Sequence, residues 1–303
     1  MEIKTVTMIG MGAVGAVVGI RLQKLLGKNM QCIVDAERKA RYERDGIFVN
    51  GEKTEFNWVT PENAMQTDAV IIATKNAHLP QAIQNMRKAV GKDTMILSLL
   101  NGIQSERDLA AAYGEEKVLP AFVLSLNSIH EGNQIEYTDA GRLIFGESDN
   151  RKTERVQALC DLFSRAGITF VNPDNIQLEL WKKYLINVTF NTLSALCRSP
   201  YGGFKYPVMQ ELARETGAEV IAVANAEGIA LTTQHLEDDI ALMCHHDPHG
   251  KTSMLQDMEA RRKSENPWFC GTVVQLAKKH GIPTPTCALL EKLVAGTEAV
   301  REV

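Results

Sequence analysis

The chain has 303 residues, 45% of them hydrophobic and 23% charged, with a formal net charge of −4. That is the make-up of an ordinary globular protein with material for a substantial core, and the length suggests two domains. Mild acidity excludes a long-range pull toward nucleic acid or an anionic membrane, so any anion must be held by local donors inside a pocket.

The N-terminus enters a strand pattern directly, with no signal-peptide pattern. Val6–Gly10 reads as a strand, Ala13–Leu26 as a helix and Met30–Asp35 as a second strand. Ile47–Val59 reads as a hairpin turning at Asn50-Gly51. Asp68–Thr74 and Thr94–Leu99 are further buried strands, with a helical pattern at Leu79–Val90 between them. Val118–Ser125, Gln134–Tyr137 and Leu143–Phe145 read as later strands, the last two joined as a hairpin or wide loop. Near Asn172-Pro173-Asp174 the pattern changes. Helices follow at about Asn175–Cys197, Val208–Ala226, Leu236–Cys244, Arg262–His280 and Thr286–Arg301. The expectation is an α/β fold: a Rossmann-like doubly wound parallel sheet over residues 1–172, then an all-α domain over 173–303. The longest apolar run, Met8 to Ile20, is too short to span a bilayer, and a cytoplasmic enzyme is expected.

Gly10-Met11-Gly12-Ala13-Val14-Gly15 fits G-x-G-x-x-G between a strand and a helix at the start of a βαβ unit, the context of a dinucleotide phosphate loop. Gly10 permits the tight turn, Gly12 leaves room for a pyrophosphate, and Gly15 lets the helix pack on the strand. Asp35 ends the second strand 20 residues after Gly15, where an acid accepts from both ribose hydroxyls and favours NAD over NADP. Two readings stand for it, ribose ligand or plain turn carboxylate, and Arg38 offers a counter-partner for a 2′-phosphate. Lys75 and Asn101-Gly102 follow the next strands and emerge at the carboxyl edge of the sheet, where ligands bind.

Lys183, Asn187 and Asn191 are spaced i, i+4, i+8 and share one face of a helix otherwise rich in Leu185, Ile186, Val188, Phe190, Leu193 and Leu196. Such a stripe costs several kcal/mol unless its groups find partners. It is either an internal network with Lys183 snorkelling to solvent, or one wall of a cleft for a polar substrate. Ser253 and Glu265 lie across a loop-to-helix change and could present a hydroxyl and a carboxylate to the same cleft. His245-His246-Asp247-Pro248-His249 has no metal-site spacing and reads as a solvated loop, and no metal is expected. Six scattered cysteines (Cys32, Cys160, Cys197, Cys244, Cys270, Cys287) form no CxxC pair and suggest a reducing compartment.

Four motifs in order resemble the ketopantoate reductase (2-dehydropantoate 2-reductase) family: Gly10–Gly15, Asn101-Gly102, Trp181-Lys-Lys-x-x-x-Asn187-x-x-x-Asn191, and Ser253-Met-Leu-Gln-Asp257 followed by Glu265. The resemblance covers essentially the whole chain. It implies a nicotinamide-dependent reductase of a 2-oxo acid, ketopantoate to pantoate, with Lys183 as general acid and Glu265 supporting lysine and substrate. It further implies that Asn101, Asn187, Asn191 and Ser253 line the substrate site, and that Gly10 to Gly15, Asp35, Lys75 and Asn101 bind the cofactor. The family leans to NADP, whereas Asp35 leans to NAD. The alternative is an NADH-dependent D-2-hydroxy acid dehydrogenase of the same family. The chain departs from the family pattern at Tyr201 and Gly250, each standing for an asparagine, at Pro267 and Cys270, standing for Asp and Asn, and at Ala36, standing for a basic residue. The expected partner is a small-molecule 2-oxo acid, with no nucleic acid and no membrane; a homodimer is compatible with the sequence.

Overall fold

The structure, a computed structural model, describes residues 2–300. By its contacts the chain forms two units: Met1–Leu100 with Ser105–Ile176, and Asn101–Gln104 with Gln177–Val303.

In the first unit, strands β1 (Val6–Ile9), β2 (Met30–Ile33), β3 (Ile47–Val49), β4 (Glu52–Thr54), β5 (Trp58–Val59), β6 (Ala69–Ile72), β7 (Met95–Ser98), β8 (Val118–Leu119), β9 (Ala121–Glu131), β10 (Gln134–Phe145) and β11 (Phe170–Val171) alternate with helices α1 (Ala13–Leu26), α2 (Ala36–Asp45), α3 (Leu79–Asn85), α4 (Ser105–Tyr113) and α5 (Glu154–Arg165). Six strands make one all-parallel sheet in the order β5-β2-β1-β6-β7-β8. Every residue of β1, β2, β6 and β7 is buried, as expected of parallel strands covered on both faces. Met8, Ile71 and Leu97 pack with α1 and α5 on one face, whereas Ile9, Ile72 and Ile96 pack with α3 and α4 on the other. The strand order reverses between β1 and β6. That switch point is where an open α/β sheet binds ligands.

The second sheet, in the order β11-β10-β3-β4, has β9 paired to β10. β3 and β4 form a hairpin, with Asn50 and Gly51 at φ 50° and 79° as a tight primed turn requires, but it is shorter than the expected Ile47–Val59: Trp58–Val59 leaves it as β5, parallel to β2 in the other sheet. Three further expectations need correction. Pro120 divides the Val118–Ser125 strand into β8 and the start of β9. Gln134–Tyr137 and Leu143–Phe145 are ends of one strand, β10, with an irregularity between Tyr137 and Asp139. The helix expected to Val90 ends at Asn85.

The second unit is helical: α6 (Ile176–Ile186), a π turn (Asn187–Asn191), α7 (Thr192–Cys197), a 3₁₀ turn (Tyr201–Lys205), α8 (Pro207–Ala226), α9 (Thr233–His245), α10 (Ser253–Glu259), a 3₁₀ turn (Asn266–Trp268), α11 (Cys270–His280) and α12 (Pro285–Val300). The helix expected to start at Arg262 starts instead at Cys270. Arg261 turns left-handed at φ 56° to end α10, and Pro267 lacks the amide a continuous helix needs. Arg301, the expected end of the last helix, lies outside the described residues. Among the described residues no helix is long and apolar enough to cross a membrane.

Candidate active site

Three glycines of the first loop have different physical causes. Gly10 has φ 91°, and a Cβ there would sit 2.6 Å from the backbone of Ala73 and Thr74. A Cβ on Gly15 would meet the Gly10 carbonyl oxygen at 1.9 Å. The fold alone therefore demands both. Gly12 is different: its backbone is ordinary at φ −79°, and a Cβ would meet nothing within 4 Å. That open cradle lies at the N-cap of α1, which has no side-chain cap and no acidic residue in its first turn. First-turn amides with no side-chain acceptor are a ready anion site, and the space fits a dinucleotide pyrophosphate. Met11 turns its side chain inward, its sulfur 4.0 Å from that of Cys32, and Val14 packs against the core, so both offer only backbone to this space. Ala13 opens the helix.

Asp35 is the N-cap of α2. Its Oδ1 accepts the Arg38 backbone N–H at 2.7 Å, and Arg38 Nε lies 3.5 Å from Oδ2. The turn-carboxylate reading is thus real, and Arg38 docks back on Asp35 rather than swinging away. The carboxylate stays exposed just past β2. Lys75 is exposed just past β6, ahead of the 3₁₀ turn Asn76–His78.

In the helical unit, α6 carries Lys183, half-buried, in its last turn. The backbone then widens into the π turn, so the uniform α-helical stripe expected from spacing is corrected here. A turn closed by i→i+5 bonds holds more residues than an α turn, which shifts the face that the flanking residues present. Asn187 and Asn191, four residues apart on one face, meet: Asn191 Nδ2 donates to Asn187 Oδ1 at 3.1 Å and reaches Ser253 Oγ at 3.5 Å. Asn187 is 5% exposed, and its Nδ2 has no hydrogen-bond partner among the described residues. Thr189 Oγ1, inside the same turn, is buried without one too. Orphan donors of this kind are rare and costly, so each asks for a ligand.

Ser253 is the first residue of α10 and is exposed. It is held there by Thr252, a buried N-cap whose hydroxyl accepts from Leu255 N–H at 3.2 Å. Glu265 is 8% exposed, and its Oε2 accepts from Asn101 Nδ2 at 3.0 Å. Glu298 fixes the segment from behind, accepting the Ser264 N–H at 2.8 Å, and Tyr184 OH donates to the Phe269 carbonyl at 2.7 Å. Two groupings result: Asn187, Asn191 and Ser253, and Asn101 with Glu265. Thr189 and Thr252 were missed by spacing arguments. Thr252 carried a readable signal, a threonine just before an apolar helical run.

In the histidine loop, His246 stacks on Tyr201 with ring centroids 4.9 Å apart, and His245 Nδ1 lies 2.6 Å from the Ala241 carbonyl oxygen. Among the described residues no cluster of side chains could hold a metal ion.

Two family models match, ketopantoate reductase PanE/ApbA over residues 6–150 and its C-terminal counterpart over residues 175–298. A Bacillus subtilis protein called uncharacterized oxidoreductase YkpB is 28% identical, covering 91% of this chain and 93% of its own. The 2-dehydropantoate 2-reductase of Streptococcus pyogenes is 27% identical, covering 97% and 98%. A D-mandelate dehydrogenase solved with NADH and anilino(oxo)acetate shares the fold, with a TM-score of 0.88 at 22% identity over 99% of this chain and 100% of that one.

Proposed function

The chain belongs to the ketopantoate reductase family, and on that premise we propose that it reduces the keto group of a 2-oxo acid, ketopantoate to pantoate, with a nicotinamide cofactor. A nicotinamide cofactor would supply the hydride for C2 of the acid. Gly10 to Gly15 would hold its pyrophosphate at the α1 amides, with Asp35 at the ribose, Lys75 facing the cofactor and Asn101 toward nicotinamide and substrate. Lys183 donates a proton to the developing alkoxide, which general acid catalysis makes worth roughly a hundred- to ten-thousand-fold. Glu265, steadied by Asn101, supports the lysine and the substrate. Ser253, Asn187 and Asn191 bind the carboxylate and neighbouring oxygens, fixing the carbonyl for attack.

The observation that carries this reading is the unpaired Asn187 amide, which waits in a π turn beside the Asn191–Ser253 contact. A second reading, an NADH-dependent D-2-hydroxy acid dehydrogenase of the same family, draws support from Asp35 at the end of β2. A panel of 2-oxo acids, each assayed with NADH and with NADPH, tests both; failure of every acid with both cofactors would refute the function. A homodimer is the assembly the sequence is compatible with, and sedimentation checks it directly.

A further inference from the structure

The helical unit holds a cleft of about 300 Å³ lined by Ala195, Arg198, Leu255, Met258, Glu259 and Arg261. None of the groups assigned above to substrate or cofactor is among them. Its floor is apolar and buried, made of Ala195 from α7 with Leu255 and Met258 from α10. Its rim is cationic. Arg198 is the C-cap of α7, and Arg261 follows Ala260, the C-cap of α10. Among the described residues, no hydrogen bond or ion pair involves either guanidinium. The carboxylate of the cleft does not neutralise them, because Glu259 takes Lys251 Nζ at 2.8 and 3.0 Å. Two positive charges are therefore left over. Both arginines also sit in the left-handed region, at φ 50° and 56°. A side chain is penalised there, and glycine is the usual residue just past a helix end. The other described residues with a Cβ and positive φ are Asn50, Ser125 and Asn150, short polar side chains that bond locally. An arginine at a helix end can offset the penalty by bonding the last carbonyls, but neither of these does so. An anion shared between them would offset it for both.

We propose that the cleft between α7 and α10 binds a phosphate monoester with a compact apolar body, its phosphoryl oxygens held by Arg198 and Arg261 and its body lying on Ala195, Leu255 and Met258. Two guanidinium forks match a group with three oxygens and about two negative charges, whereas a single carboxylate fills only one fork. The volume is at the small end of ligand pockets, which suits a single ring or a short branched group and not a dinucleotide. The site is separate from the 2-oxo acid reductase reading and does not rest on it, since binding is read without turnover.

The test is calorimetric titration of the full chain with phenyl phosphate, inorganic phosphate and benzoate at pH 8, where a phosphate monoester is a dianion. The wild type, Arg198→Gly, Arg261→Gly and Gly12→Val are compared. The wild type is expected to bind phenyl phosphate saturably, at least about tenfold tighter than either of the other two probes. Each arginine variant weakens that binding at least about tenfold, while its melting temperature without ligand does not fall, because glycine suits the left-handed turn. Gly12→Val keeps the wild-type affinity. No saturable binding by the wild type, or affinity unmoved in both arginine variants, overturns the site. Affinity unmoved together with a lower melting temperature would identify the arginines as plain helix caps. Loss of binding in Gly12→Val instead would put the anion at the α1 loop. Benzoate binding as tightly as phenyl phosphate refutes the phosphate, and inorganic phosphate doing so refutes the apolar floor. A dimer that sediments as monomer in the arginine variants, with no phosphate bound by the wild type, would assign the cleft to a second copy of the chain and overturn the ligand.

Discussion

At the scale of single residues, chemically identical side chains stand in the loop for different reasons, and substitution separates them. Gly12→Val places atoms in open space, so it is expected to abolish NADH and NADPH binding while the melting temperature stays within about 2 °C of wild type. Gly15→Ala drives a methyl into the Gly10 carbonyl and is expected to lower the melting temperature first. Unchanged dinucleotide affinity in Gly12→Val, read by fluorescence titration, would remove the loop from the cofactor site. Lys183→Ala is expected to lose about two or more orders of magnitude in kcat with dinucleotide affinity near normal. A variant with wild-type kcat on its best acid ends the general-acid assignment. Asp35 is a harder case, since it caps α2 and meets Arg38 as well as standing where a ribose would lie. Asp35→Ala is expected to shift the NADH-to-NADPH ratio of kcat/KM toward NADPH. Loss of the cap by itself lowers stability without moving that ratio, so the two roles separate in one variant.

Secondary-structure elements show where sequence reading succeeds and where it stops. β1 and β2 were legible because their burial is unbroken, and the Asn50-Gly51 turn because only a few residue pairs suit it. α2 was not. Its sequence AERKARYERD buries no residue, so no apolar stripe announces it. The polar face of α6 and α7 was visible as spacing, yet the π turn was not, since side-chain type does not record an i→i+5 bond. The i, i+4 spacing already set Asn187 beside Asn191, but neither the unpaired Asn187 amide nor the reach to Ser253 could be read from it, and so the site was legible as a list of residues but not as a geometry. Helix α10 gives an element-scale expectation. Thr252→Ala deletes its N-cap and the bond to Ser194, at a cost of about 1 kcal/mol, and lets Ser253 drift. KM for the 2-oxo acid should rise several-fold, with a smaller change in kcat. An unaltered KM would show that the cap does not position Ser253.

Over the whole molecule, each unit holds, among its described residues, a carboxyl whose environment opposes its charge. Burial pushes Glu106 on α4 up to about 7, against the lowering bonds from its own backbone, Ser105 and the Ala121 backbone. Burial likewise pushes Asp239 on α9 up to about 7, with Lys182 opposing and Asp238 and Glu179 adding to the rise. Below about pH 4 these carboxyls are protonated whether the chain is folded or not, so they cost nothing. Between there and pH 7 the unfolded chain sheds protons that the folded one keeps, and stability falls; above pH 7 the penalty is complete. Glu106→Gln is thus expected to raise the melting temperature by about 2 °C or more at pH 8 and by less than about 1 °C at pH 4. Equal gains at both pH values would mean that the carboxyl is not held protonated. The division of the chain has one more consequence. Asn101 to Gln104 belong with the helical unit although they are made early, and the Glu265 that takes the Asn101 amide follows 164 residues later. At synthesis rates of about 5–20 residues per second, that partner emerges roughly 10–30 s after the asparagine. Through that interval the nascent sheet domain carries a tetrapeptide whose companions do not yet exist, and the last half of the polypeptide must come back to collect it.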